Sequence, residues 1–329
     1  MPELALSFSV DDLARTRFAF SPLWETVVSI RVLKTPGEHA LHLPWLRETR
    51  ARLAASGLDL APLADLVPGP RQGFPDFLTP PPSTPLPDFA AELAELARTP
   101  AALVRHDLEF FADKYPRGSF AEQLHADPSR LHRLVEVVRA YWELAVEPYW
   151  PRLTALLEGE VHFRAKRLTE GGHDLLFRDL HPHVSWSDGV LRVDRRCCLH
   201  SRHVGGDGLL LVPSVFTWPD ALTMVEDGWQ PTLFYPPRGI ATLWDHREER
   251  CPPEALAGVL GRSRATLLLA LGDPLSTTEL ARRTGLTAGG VSQHLGALAA
   301  AGLVHGHRQG RQVRYARTRV GELLVTAPR

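Results

Sequence analysis

A side-chain amide and a hydroxyl stand side by side at Gln293 and Ser292, with Thr287, Ala288 and Gly289 before them and His294 after. An amide both donates and accepts, which matches the pattern adenine presents in a major groove. A hydroxyl bonds base or phosphate. Glycine and alanine beside them leave little bulk to stop a close approach. Further on, Arg308, Arg311 and Arg314 cluster at or near the tip of an expected hairpin. Guanidinium groups there suit phosphate oxygens or a minor groove.

A second constellation has the right atoms for a metal. Cys197, Cys198, His200 and His203 fall within seven residues, with His181 and His183 upstream. On a strand, however, Cys198 and His200 share one face and Cys197 the other, and the spacing matches no standard zinc module. The expectation is reduced thiols among scattered histidines, with no metal and no cofactor. The three cysteines are an odd set without regular spacing, which argues against a disulfide framework.

The remaining polar residues suggest no enzyme. Asp107 with Glu109, or Asp11 with Asp12, give no acid/base pair that spacing alone defines. No phosphate-binding lysine loop, nucleophile elbow or zinc-protease helix is present. Residues 204–208 hold three glycines without the lysine and helix of a phosphate cradle, and read as a hairpin loop.

The elements around Gln293 follow from local signals. Residues 252–271 read as helical, in two pieces around Gly258 and Gly261, with Leu256, Leu260, Leu267 and Leu271 as the apolar stripe. Ser276 and Glu279 form a capping box. The helix they start ends at Thr284-Gly285, where glycine permits a left-handed turn. Thr287 caps a helix over 288–301, in which Val291, Leu295 and Leu298 face inward. Strands over 303–307 and 311–317 make a hairpin, with Val313 and Tyr315 expected to face the core. Two short helices and a tight turn, the second small and polar at its start, fit major-groove docking.

Upstream, helices are expected at 20–33, 46–55, 88–98, 101–114 and 129–158, the last broken near Pro148 and Pro151. Residues 4–10 read as a short strand, and the eight prolines within 68–88 require a loop. From 161 to 244 short apolar runs alternate with turn residues and suggest strands at 174–177, 189–193, 208–212 and 230–235. The fold class is α+β: a large N-terminal domain, 1–245, of helices followed by a strand-rich region, a linker at 246–254, and a C-terminal winged helix-turn-helix at 255–329. Trp142, Tyr149, Trp150, Trp186, Trp218, Trp229 and Trp244 read as packing rather than as a ligand pocket.

Charge divides the same way. Residues 255–329 hold ten arginines against Asp273, Glu279 and Glu322, a balance of +7 in a chain whose net charge is −1, so the rest carries −8. A basic module beside an acidic one fits a chain of which one part touches a polyanion. No apolar run approaches the ~20 residues a bilayer crossing needs, and residues near the start lack a signal-peptide pattern. A cytoplasmic location is expected.

The C-terminal stretch resembles the winged helix-turn-helix of ArsR-type bacterial repressors and, close to it, of MarR-type regulators. Glu279-Leu280-Ala281, Val291 through Leu295, Leu298, Ala301 through Val304, and Arg308 through Gly310 and Arg311 to Tyr315 carry the resemblance. The long N-terminal region resembles that of an actinobacterial class of regulators. The resemblance implies double-stranded DNA as partner, a homodimer on an inverted repeat, repression, and an unidentified small-molecule effector. The cysteine pair of metal-sensing members is absent from 279–285, and about ten residues follow Arg319, too few for their dimerisation helix. The alternatives are a ligand-binding or enzymatic N-terminal domain carrying a DNA module, and a protein-interaction adaptor built on a winged helix.

Overall fold

Ser21 begins the helix around which the N-terminal part is built. Its hydroxyl accepts from Trp24 N at 3.0 Å, and Pro22 fills the first helical position of α2 (Pro22–Lys34), where a missing N–H costs nothing. Residues 22–32 are buried on every face, so α2 is wrapped by other elements. In this computed structural model residues 3–69, 72–112, 118–194, 200–226, 228–244, 253–271, 274–309 and 312–326 are described. The chain forms two compact units, 1–244 and 245–329.

In the first unit, α2 packs with α3 (Leu43–Ser56), α4 (Ala61–Leu66), α5 (Phe89–Ala97) and α8 (Leu131–Ala145). α6 (Ala101–Ala112) and α7 (Ser119–Ala126) pack on one another. Between α8 and α9 (Trp150–Phe177) a 3-10 turn carries Pro148. The expected long helix is thus two helices. The capped helix α1 (Val10–Arg15) links two short N-terminal strands.

Those strands enter different sheets. β1 (Glu3–Ser7) lies between β4 (Val190–Asp194), antiparallel, and β5 (His200–His203), parallel, with β3 (Val184–Ser187) at the edge. β2 (Arg17–Phe18) runs parallel to β6 (Leu210–Pro213), which pairs in parallel with β8 (Thr232–Tyr235); β7 (Leu222–Met224) closes that sheet antiparallel. Strand alternation then separates two cores. Leu210 and Val212 join the helical core, whereas Leu209 and Leu211 join Leu4, Leu6, Leu191 and Val193. β6 and β8 are buried on both faces, as parallel strands usually are.

The α+β class holds, and three local expectations are corrected. Residues 174–177 are helical, because the chain breaks at Gly171 and Gly172 (φ 65°) and then resumes the helix. Residues 204–208 do not close a hairpin; they carry the chain from β5 in one sheet to β6 in the other. The strand-rich region also draws its strands from both ends of the unit, since β1 and β2 precede every helix but α1.

The tryptophans pack. Trp142 stacks on Phe89, Trp186 meets Phe8 and Phe177, and Trp244 lies against His42 and Tyr149. Trp150, Trp218 and Trp229 rest against the helical core. Cys197, Cys198 and Cys251 lie outside the described residues, and His200 is described in its backbone alone. His203 Nδ1 sits 2.6 Å from Ser7 Oγ across the parallel pair. Among the described residues no group of three or more His, Cys, Asp or Glu is placed to hold a metal.

Candidate nucleic-acid interface

The second unit begins with α10 (Pro253–Leu260) and α11 (Arg262–Ala270), separated at Gly261 (φ 84°). β9 (Leu275–Ser276) follows, then α12 (Thr277–Thr284), α13 (Ala288–Ala300), the hairpin β10 (Val304–Gln309) and β11 (Gln312–Arg317), and α14 (Arg319–Thr326). β11 pairs with both β10 and β9. Leu267, Leu268, Leu280, Val291, Leu295 and Leu298 meet in one aliphatic core.

Local chemistry sets the two helices in place. Ser276 Oγ accepts from Glu279 N at 3.3 Å, and Glu279 Oε2 accepts from Ser276 N at 2.8 Å, so each end satisfies the other's free donor. The hydrogen bonds from Ser276 hold the half-buried Glu279 carboxyl below its usual range, with the Arg314 and Arg282 charges adding to the effect. α12 ends on Gly285 at φ 74°, the left-handed turn that aims the chain into the next helix. Thr287 Oγ1 then accepts from Gly290 N at 3.2 Å and caps α13.

The start of α13 is open. Thr287, Ala288, Gly289, Ser292 and Gln293 are exposed and His294 half-buried, while Val291, Leu295 and Leu298 face the core. The glycines differ in their reasons. A Cβ on Gly290 would lie 3.1 Å from Thr287 Oγ1, so the cap itself favours glycine. A Cβ on Gly289 or Gly296 would meet nothing within 4 Å. Each glycine costs about 1 kcal/mol against alanine inside a helix, and no contact within the unit explains those two. Ala297 and Ala300 extend the same small, exposed face.

The wing departs from expectation. His307 lies opposite Arg314, and Arg308 opposite Val313. The register therefore places positions 308 and 314 on opposite faces, with 314 in the pair third from the turn. Arg314 is paired in register with Ser276 of β9, and its Nη1 reaches Pro274 O at 3.4 Å. Arg311 lies outside the described residues, as does the Arg308 side chain. Val313, expected in the core, is 40% exposed, whereas Tyr315 packs on the aliphatic cluster. Gly306 makes room for that ring: a Cβ there would come 3.2 Å from Tyr315 Cε1.

Two cations were absent from the expected set. Arg282 and Arg283 stand exposed in the last turn of α12, beside the glycine turn into α13. Their signal was in the sequence, as paired basic residues directly before the turn. By contrast, Arg317 is structural: it donates to Leu271 O at 2.8 Å and pairs with Glu322 at 3.2 Å.

No helix among the described residues is long and apolar enough to cross a membrane. Two family models match the chain. That of a helix-turn-helix domain covers residues 260–307, the span from the end of α10 through α12 and α13 into the first strand of the wing. That of a family of unknown function (DUF5937) covers residues 101–240. Comparison with curated proteins and with solved structures gives no match. The C-terminal unit is thus a helix-turn-helix domain of the DNA-binding kind, and the N-terminal unit carries the DUF5937 pattern.

Proposed function

We propose that this chain is a sequence-specific transcriptional regulator that represses as a homodimer on an inverted repeat. Residues 1–244 act as its effector-receiving part. One observation carries the reading: the exposed face of α13 is made of Gly289, Ser292, Gln293, Gly296 and Ala297, and two of its glycines have no packing reason within the unit. A helix surface kept small and polar suits entry into a groove about 12 Å wide. Thr287, Ala288 and His294 border the same surface. Ser292 and Gln293 reach base edges, and Arg282, Arg283, Arg308, Arg311 and Arg314 supply phosphate contacts. A two-fold dimer places its half-sites about 10 base pairs, or a multiple of that, apart.

A titration of fluorescent duplexes tests this, with the promoter of the chain's own gene and a scrambled duplex at two salt concentrations. Tighter, salt-sensitive binding to the promoter supports the regulator. Absence of binding to both by a folded protein removes it and favours an adaptor role.

A further inference from the structure

Arg17 opens β2 at the register position of Leu210. Its Nη2 donates to Gln230 Oε1 at 2.8 Å, and Gln230 Nε2 donates in turn to Asp207 O at 2.9 Å. The other guanidinium nitrogen, Nη1, is sealed from solvent and has no hydrogen-bond partner. Arg15 stands beside it, exposed, with one Nη1 bond to Gly206 O at 2.6 Å. Neither guanidinium has a carboxylate within ion-pair range among the described residues. Ala14, Arg15, Thr16, Arg17, Asp207 and Gln230 line an open cleft of about 560 Å³.

The walls of this cleft are built. Gly208 lies at φ 72°, and a Cβ there would come 2.5 Å from the Arg15 carbonyl carbon, so only glycine lets the 204–208 segment lie on the backbone of α1. Asp12 Oδ1 accepts from Gly206 N at 2.6 Å. Thr16 Oγ1 accepts from Leu209 N at 3.3 Å, and Arg17 N donates to Leu209 O at 3.1 Å. The backbone that carries both arginines is therefore fixed before anything binds, which lowers the ordering cost of binding.

Arg17 Nη1 is closed to solvent as the cleft stands, so an oxyanion meets it after a small turn of the guanidinium, a movement favoured because an N–H removed from water and left unmatched is costly. The planar fork of a guanidinium matches carboxylate and phosphate oxygens. The cleft also falls within the roughly 300–1,000 Å³ usual for small-molecule sites. We propose that the Arg15–Arg17 cleft binds the oxyanion group, carboxylate or phosphate, of a small metabolite. That this metabolite is the effector rests on the regulator reading above. Asp207, exposed on the same rim, disfavours a second negative charge near the first.

Calorimetric titration of the full chain with benzoate and, separately, with inorganic phosphate tests the site, with neutral benzamide as control. Saturable binding of one anion is expected, weakened at least about tenfold in both Arg15→Ala and Arg17→Gln. The preferred anion identifies the headgroup. Arg15 is exposed, so its variant keeps the test valid if Arg17→Gln misfolds. No saturable binding of either anion, or equal affinity in Arg15→Ala, overturns the site. The duplex titration repeated with the bound anion separates the two readings. An unchanged DNA affinity removes the effector role, and a total absence of DNA binding removes the regulator while the anion site stands.

Discussion

Residues 1–244 take ionisable groups into their interior, and the described residues of the second unit take in none. In the first, Glu25, Glu92, Asp107, Glu160, Arg164 and His42 are all buried. Glu25 accepts from Val215 N, Phe216 N and Ser214 Oγ at 2.6–3.0 Å and so ties α2 to the end of β6. Arg164 clasps the far side of the α9 break, donating to Glu160 at 2.6 Å and to Arg178 O and Asp179 O. In the second unit Leu, Val and Ala side chains make the core, Ser276 is the one buried polar residue described, and charge stays outside. On the proposed reading, a surface that meets phosphate in changing salt is then free of any duty to hold its own core. The first unit has made its fold depend on specific ionisable groups and on a buried ion pair, Glu160 with Arg164.

The largest test of this contrast removes one partner of the buried pair. Arg164→Met should leave Glu160 uncompensated and cost about 3–5 kcal/mol. All eight tryptophans, from Trp24 to Trp244, lie in the first unit, so tryptophan fluorescence in urea reports that unit alone. Leu295→Ala opens a cavity in the aliphatic core of the second unit and should cost about 2–5 kcal/mol. It should abolish DNA binding and leave the tryptophan transition where it was. A shift of that transition in Leu295→Ala would show the units unfolding together and break the comparison.

The next test is pH. Burial pushes Glu25 up to about 7, against hydrogen bonds from Phe216, Val215 and Ser214, and pushes Glu92 up to about 8, against those from Leu23 and Ser21. The folded unit thus keeps protons that the unfolded chain, with a glutamate value of 4.5, gives up. Their stabilisation is fully present below 4.5 and is lost as pH rises through about 7 and about 8. His42, lowered by burial to about 3, opposes this below 6.5, where the unfolded chain gains a proton that the folded one refuses. Above 6.5 the carboxylates act without that opposition. At about 1.4 kcal/mol per pKa unit, the first unit should lose on the order of 2 kcal/mol between about pH 6.5 and 8. Glu92→Gln should flatten that fall, read again by tryptophan fluorescence. A stability that rises across the interval would remove the contrast.

The same difference governs what was legible in the sequence. In the second unit each boundary has a local cause. Ser276 meets Glu279 three residues on, Gly285 turns left-handed, and Thr287 caps, so the pattern predicts α12 and α13 to within a residue or so. In the first unit the decisive contacts are distant. Glu25 meets residues 214–216 from 189 to 191 positions away, and β1 pairs with β4 and β5 across nearly two hundred residues. No local period records such partners. The short apolar run at 174–177 reads as a strand, and only packing decides that the helix resumes after the break at Gly171 and Gly172. The wing failed for another reason. Alternation gave Val313 and Tyr315 one face, but that face is covered at Tyr315 and runs out into solvent at Val313.

The smallest effects lie on the DNA surface, where they should separate by chemistry. Gln293→Ala should cost about 1–3 kcal/mol on the preferred duplex and relax selection at one base position, leaving affinity for scrambled DNA nearly unchanged. Arg282→Ala should weaken both duplexes alike and reduce the salt slope by about one. It should do so with no change in the capping box, because the hydrogen bonds between Ser276 and Glu279 do not involve it. Neither variant touches the buried ionisable groups of the first unit, so the pH profile of tryptophan fluorescence should stay as in the parent chain. If Arg282→Ala and Gln293→Ala instead lose the same affinity on both duplexes, the exposed face of α13 does not read sequence, and the small residues along it need another explanation.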